Sequence, residues 1–349
     1  MRTEVITISS SERAEEKLLR AASVIKNGGL VIFPTETVYG LGGDALNSEA
    51  SKKIYEAKGR PQDNPLIVHI ADPRDAELYT YTSDVYYKLA ERFMPGPLTV
   101  IMKAKDIIPK ETRASLPTVA VRCPEHPIAR TLIRLSGTPI AAPSANLSGS
   151  PSPTKASHVI DDMMGRVDVI IAADDSEIGL ESTIVKIEDD GSLTLLRPGR
   201  ITLDELSELC GEVNVAAAVT SQLKEGETVL SPGMKYRHYA PKAPVILIDG
   251  DSEATADYIS AEANGRSVAA VCYKEDVSKI KEKAPSVFIY EFGDKNDENT
   301  HAHLLFDILR DADKKNFDVI YAPLPRAEGV GLALYNRMIR AAAYNIIKL

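Results

Sequence analysis

Leu30-Val31-Ile32-Phe33-Pro34-Thr35-Glu36-Thr37-Val38-Tyr39-Gly40-Leu41-Gly42-Gly43 is the stretch that decides how the chain reads. An apolar run, β-branched at Val31 and Ile32, that meets a proline and passes into hydroxyls and glycines reads as a buried strand opening into a loop. Strand exits of this kind are where α/β proteins place ligands. The glycines are expected to supply positive φ and close backbone approach, and Thr35 and Thr37 to supply hydroxyl donors. The spacing matches neither the phosphate-binding P-loop nor the dinucleotide fingerprint, so taken alone the stretch also fits a plain strand-to-turn transition.

Upstream, Leu18, Leu19, Ala22 and Ile25 recur at helical spacing, predicting a helix from Ala14 to Lys26 that Asn27-Gly28-Gly29 stops. A short strand from Glu4 to Ile8 precedes it. Downstream, a helix from Ser48 to Ala57, capped by Asn47 or Ser48, leads into Lys58-Gly59-Arg60-Pro61-Gln62-Asp63-Asn64-Pro65 and a strand from Leu66 to Ile70. Charged loops are ordinarily just solvated, but the flanking prolines restrict Lys58 and Arg60 to fewer conformations. His69, inside an apolar strand, fits a satisfied core histidine as well as a ligand contact.

The same pattern of an apolar strand with a polar exit returns four more times. Thr118-Val119-Ala120-Val121-Arg122 ends on an arginine, placed beyond its run as Thr35 is beyond Ile32, so both are candidates for one cleft. Ile140-Ala141-Ala142 opens into Pro143-Ser144-Ala145-Asn146-Leu147-Ser148-Gly149-Ser150-Pro151-Ser152. Ser182-Thr183-Ile184-Val185 and Leu193-Thr194-Leu195-Leu196-Arg197 complete the series. Small hydroxyl and amide residues on such loops are common turn chemistry, and they also bind phosphate oxygens or base edges without adding bulk.

At 349 residues two domains are the better expectation, the first closing near Leu206 to Cys210. Residues 211–243 read as a linker or lid arm. Its segment Ser231 to Pro241, with Tyr236, Arg237, His238 and Tyr239, carries more chemistry than an inert spacer needs. From Pro244 on, apolar strands at 245–248, 268–271, 287–290 and 319–321 alternate with helices, the last from Gly331 to about Ile347. This implies a small parallel sheet covered on both faces.

The formal net charge of −9 opposes a protein that coats nucleic acid non-specifically. Cys123, Cys210 and Cys272 follow no metal-ligand spacing, so no metal ligands are assigned. Free thiols, no apolar run of membrane length and the polar opening Met1 to Glu4 point to the cytoplasm and away from a membrane.

Together these loops resemble the threonylcarbamoyl-AMP synthases, in the longer Sua5 form with a YrdC-like catalytic domain and an extra C-terminal domain. The matching residues are Pro34 to Gly42, Lys58-Gly59-Arg60-Pro61 with Asn64-Pro65-Leu66 and His69, Pro95-Gly96-Pro97-Leu98-Thr99, and Val121-Arg122. They continue through Ala142 to Asn146 with Ser148-Gly149, Ser182 to Val185, Arg197-Pro198-Gly199 and the arm from Ser231 to Pro241. The resemblance implies an α/β fold: a YrdC-like twisted open mixed sheet with a concave cleft (residues 1–210), then a small Rossmann-like parallel C-terminal domain (244–349).

The activity it implies is that of a nucleotidyltransferase making threonylcarbamoyl-AMP and pyrophosphate from L-threonine, bicarbonate or CO2, and ATP with Mg²⁺. The product would pass to a transferase that completes the t6A modification of tRNA. The resemblance also implies that Thr35, His69, Arg122, Ala142 and Ser182 surround the threonine. Lys58, Arg60, Asn64, Thr118, Ser144, Asn146, Ser152 and Arg197 would surround the nucleotide, with Tyr236 and His238 closing over it. Lys58 and Arg60 would act catalytically on phosphate charge. The alternative is a module that binds tRNA or double-stranded RNA without chemistry, which the acidic balance opposes. A related carbamoyl-transfer enzyme of the hydrogenase-maturation type would need zinc-finger cysteines that three scattered ones do not supply.

Overall fold

The computed structural model describes residues 2–9, 15–221 and 239–349. These fall into two compact units. The first carries β1 (Glu4–Thr7), β2 (Val31–Phe33), β3 (Gly40–Asp44), β4 (Ile67–His69), β5 (Leu98–Lys103), β6 (Thr118–Arg122), β7 (Ile140–Ala141), β8 (Val169–Ala172), β9 (Thr183–Ile187), β10 (Leu193–Arg197) and β11 (Val213–Val215). They form one mixed sheet in the order β1-β8-β2-β3-β7-β4-β6-β5-β9-β10-β11. Past Cys210 the chain still pairs with this sheet, β11 running parallel to β10.

Helices Glu15–Lys26 and Pro127–Ser136 lie together over the β2, β7 and β8 part of the sheet. Their apolar stripes, Leu18, Ala21, Ala22 and Ile25 on one and Ile128, Ala129, Leu132 and Ile133 on the other, pack against Val31, Phe33, Ile140, Val169 and Ile171. A second cluster, Ile67, Ala120, Ile101, Ile184 and Leu196, occupies β4, β6, β5, β9 and β10. Side chains two apart on a strand share a face. His69, Arg122 and Thr99 therefore stand one pleat beyond Ile67, Ala120 and Ile101, on the same side.

The glycines of the opening stretch behave differently from expectation. Gly40 to Gly43 are not a positive-φ turn but strand β3, antiparallel to β2 with Ile32 opposite Leu41. What they supply is the missing side chain. A Cβ on Gly42 would stand 2.5 Å from Ile140 Cγ2 and 2.7 Å from Phe33 Cε1. Gly42→Ala is expected to cost about 1–3 kcal/mol by overpacking, read as a lower midpoint in urea unfolding.

The second unit is a parallel sheet of β12 (Val245–Asp249), β13 (Val268–Cys272), β14 (Phe288–Glu291), β15 (Val319–Pro323) and β16 (Ile346–Lys348), in the order β14-β13-β15-β12-β16. Its last strand was not anticipated. The final helix ends at Ala341, and positive φ at Ala343 and Tyr344 turns the chain so that Ile346 and Ile347 pair with Leu247 and Ile248. The β-branched pair at 346–347 carries that strand.

Candidate functional site

Helix Ser48–Lys58 is entered by Asn47, whose side chain accepts from the Glu49 and Ala50 amides, and it is stopped by Gly59 at φ 62°. Glycine meets that left-handed requirement without a Cβ penalty. The stop turns Lys58 and Arg60 inward, and both are buried. Lys58 Nζ donates to the carbonyls of Ser144 and Asn146 (2.6 Å to the latter) and to Asn146 Oδ1 at 3.4 Å. Ser144 Oγ in turn donates to Asn146 Oδ1 at 2.5 Å. The Lys-x-Arg and Ser-x-Asn segments are thus two halves of one clamp. Arg60 holds its own loop through the carbonyls of Asn64 (3.2 Å) and Pro65 (3.1 Å). Asn64 is buried, and its Oδ1 has no hydrogen-bond partner among the described residues.

A single register row builds the neighbouring half of the site. His69 on β4 pairs with Arg122 on β6, which pairs with Thr99 on β5. Ser182, at the entry to β9, shares a 2.7 Å hydroxyl contact with Thr99. Arg197 closes the row by donating to the Ser182 carbonyl from Nε (3.1 Å) and Nη2 (3.0 Å), and to its hydroxyl at 3.2 Å. The Ala142 amide is used by the Ile67 carbonyl at 2.8 Å, which brings the β7 exit against β4.

The β2 exit reaches the same row. Glu36 Oε1 accepts from Arg122 Nη2 at 2.6 Å, with both side chains 5% exposed. Thr35 turns its hydroxyl into its own loop, donating to the Val38 carbonyl at 2.5 Å and accepting from the Val38 amide at 3.2 Å. Ser152 donates to Glu181, a second buried carboxylate. Thr118 stands apart: it opens β6 and Arg122 ends it, four residue steps or about 13 Å away. Tyr236 and His238 lie outside the described residues.

Four buried cations, Lys58, Arg60, Arg122 and Arg197, thus stand among two buried carboxylates in a chain of net charge −9. Three participants escaped the sequence reading. Glu36 and Thr99 sat inside quoted motifs without a role and Glu181 was not singled out, although an acid shortly after a buried strand signals that it needs a partner.

Burial, and after it the charge of Arg122, pushes the His69 imidazole down to about 3. Its Nδ1 donates to the Ile67 carbonyl at 3.1 Å, leaving Nε2 as the acceptor of a neutral ring. Between the ordinary value of 6.5 and about 3 the unfolded chain binds the extra proton. The stability that depends on the neutral ring is therefore present above pH 6.5 and is lost as pH falls toward 3. In His69→Gln the slope of urea midpoints across the acid range is expected to fall by up to about 1.4 kcal/mol per pH unit, with His126 and His301, which burial also holds below their ordinary value, keeping their own share.

Burial pushes the Cys123 thiol up to about 12, which leaves it protonated and unsuited to nucleophilic work. Among the described residues no group of three His, Cys, Asp or Glu side chains is placed to hold a metal ion, and no helix is long and apolar enough to cross a membrane. The second unit has a cavity of about 250 Å³ at the carboxyl ends of β12, β13 and β15. Several of its polar groups are already engaged: Ser252 with Asp276, Glu298 with the Gly331 amide, and His301 with the carbonyl of Asp294 outside the cavity.

The family model of Sua5, YciO and YrdC proteins, described as telomere recombination, matches residues 23–199. That of the threonylcarbamoyl-AMP synthase C-terminal domain matches residues 201–343. The chain is 42% identical to the threonylcarbamoyl-AMP synthase of Pyrococcus abyssi over 98% of its own length and 99% of the relative's. It is 43% identical to that of Bacillus subtilis over 96% and 95%. The crystal structure of P. abyssi Sua5 complexed with L-threonine superposes with a TM-score of 0.90 at 40% identity, covering 99% of both chains. With the mixed sheet, the Lys-x-Arg and Ser-x-Asn clamp and the Arg122 row in place, the chain belongs to the threonylcarbamoyl-AMP synthases of the Sua5 type.

Proposed function

We propose that the protein forms threonylcarbamoyl-AMP and pyrophosphate from L-threonine, bicarbonate or CO2, and ATP. The observation that carries the proposal is the convergence of two built half-sites. One is the row His69, Arg122, Thr99 and Ser182, suited to a small zwitterion; the other is the clamped Ser144-Ala145-Asn146 loop, suited to a nucleotide. The relatives' shared name and the threonine complex of the P. abyssi protein support the same assignment. The RNA-binding alternative is not favoured, because relatives similar over nearly the whole chain are synthases.

The chemistry asks for positioning and charge neutralisation rather than an enzyme nucleophile. The threonine nitrogen, carboxylated to a carbamate, presents an oxygen to the α-phosphorus of ATP; the new P–O bond forms as pyrophosphate leaves. Arg122 would hold the threonine carboxylate, with Thr35, His69, the Ala142 backbone and Ser182 around the rest. Lys58, Arg60 and Arg197, whose hydrogen bonds fix the surrounding loops, would also place positive charge beside the phosphates. Asn64, Thr118, Ser144, Asn146 and Ser152 would line the nucleotide. Thr118's distance from Arg122 suits an extended ligand. Mg²⁺ would accompany the phosphates as part of the ATP substrate.

In this reading residues 1–210, with β11 extending their sheet, are the catalytic domain, and the rest of 211–243 is an arm whose Tyr236 and His238 shield the water-sensitive carbamate. Residues 244–349 form a separate domain. The three free cysteines suit the cytoplasm, where a tRNA-modifying transferase would consume the product. The test is pyrophosphate release with ATP, Mg²⁺, bicarbonate and each amino acid in turn. Release dependent on threonine is the expected result; release indifferent to the amino acid contradicts it.

A further inference from the structure

We infer that Glu36 recognises the α-nitrogen of the bound amino acid, an inference that rests on the placement of threonine beside Arg122 proposed above. The Glu36–Arg122 pair is buried yet only half closed. One bond joins Nη2 to Oε1 at 2.6 Å, while Glu36 Oε2 and Arg122 Nε, both buried, have no hydrogen-bond partner among the described residues. Burying an unsatisfied polar atom is costly, and an arginine–carboxylate pair that only braced a fold would gain by closing both bonds.

The two open atoms are complementary in character. Oε2 needs a donor and Nε needs an acceptor, and they belong to residues already in contact. A ligand that satisfies both must carry a donor and an acceptor close together. An α-amino acid has them on one carbon. The match also survives the chemistry, because the free amine, the carbamate and the threonylcarbamoyl product all keep at least one N–H for Oε2. Glu36 is held for this task from behind, its own carbonyl accepting from the Ile178 amide at 2.8 Å. An acid with no donor on its α-carbon, such as 3-hydroxybutanoate, would satisfy Arg122 and leave Glu36 unpaired.

Glu36→Gln provides the test, since the amide oxygen can still accept from Arg122 Nη2 while the carboxylate is lost. Binding of L-threonine, by calorimetry, and of 3-hydroxybutanoate, which lacks the amine, by ligand-observed NMR, is measured on both proteins. The expected result is a loss of threonine affinity of about 10–100-fold with 3-hydroxybutanoate unaffected. An equal loss for both ligands would mean that Glu36 only supports Arg122, and tighter threonine binding would mean that it competes for the guanidinium. Either outcome overturns the inference. Wild-type protein that binds neither ligand refutes the threonine placement itself, and the Glu36 role with it. If Glu36→Gln does not fold, Glu36→Asp is read by the same threonine-to-hydroxybutanoate ratio: an unchanged ratio overturns the role and a lowered one supports it.

Discussion

Arg122→Ala is expected to abolish threonine-dependent pyrophosphate release and to lower the unfolding free energy by about 3–5 kcal/mol. The stability loss follows from what remains. Glu36 would stay buried with its charge unpaired, while its other oxygen already lacks a partner among the described residues. The activity loss follows from the forked geometry that Arg122 offers a carboxylate, which lysine does not reproduce. The two effects separate in the double variant Glu36→Gln with Arg122→Met. With no uncompensated charge left, its stability is expected within about 2 kcal/mol of wild type, and its turnover is expected to stay absent. Guanidinium unfolding together with a pyrophosphate assay reads both. A double variant that regained turnover would remove Arg122 from the site.

Lys58→Ala is expected to lower kcat by about 10²–10³-fold. The ammonium is the hub of the nucleotide half. It donates to two backbone carbonyls and one side-chain oxygen of the Ser144-Ala145-Asn146 loop, so its removal frees the loop and leaves buried acceptors unsatisfied. Lys58→Arg is not expected to rescue, because a planar guanidinium does not reproduce three donors radiating from one nitrogen. Steady-state kinetics with ATP varied provides the measurement. Turnover unchanged in Lys58→Ala would mean that the clamp is dispensable.

Much of this site was legible in the sequence because its residues sit where local rules are strong. The helix expected to end at Ala57 put Lys58 and Arg60 together on the loop that follows it, and the prolines there marked that loop as stiff. Arg122 and Arg197 ended apolar runs, and strand ends meet at a sheet edge. What local pattern does not encode is which strands become neighbours. The row His69–Arg122–Thr99 arises from pairing β4 with β6 and β6 with β5. Nothing near Thr99 or Glu36 in sequence announces those partners. Gly40 to Gly43 misled for a related reason. Glycine in a turn and glycine under a crowding neighbour look alike until Phe33 and Ile140 are seen against Gly42. The strand Ile346–Lys348 was absorbed into the preceding helical pattern, since the turn at Ala343 and Tyr344 uses residues with no sequence mark for positive φ.

The most direct test of the central claim follows the carbon from bicarbonate. The protein is incubated with ATP, Mg²⁺, L-threonine and carbon-13-labelled bicarbonate, and the adenylates are analysed by mass spectrometry. The predicted result is an adenylate that contains threonine and one labelled carbon, formed in step with pyrophosphate and absent when either threonine or bicarbonate is withheld. Pyrophosphate released with an unlabelled adenylate, or with threonyl-AMP in its place, would contradict a carbamate attacking the α-phosphorus in this cleft.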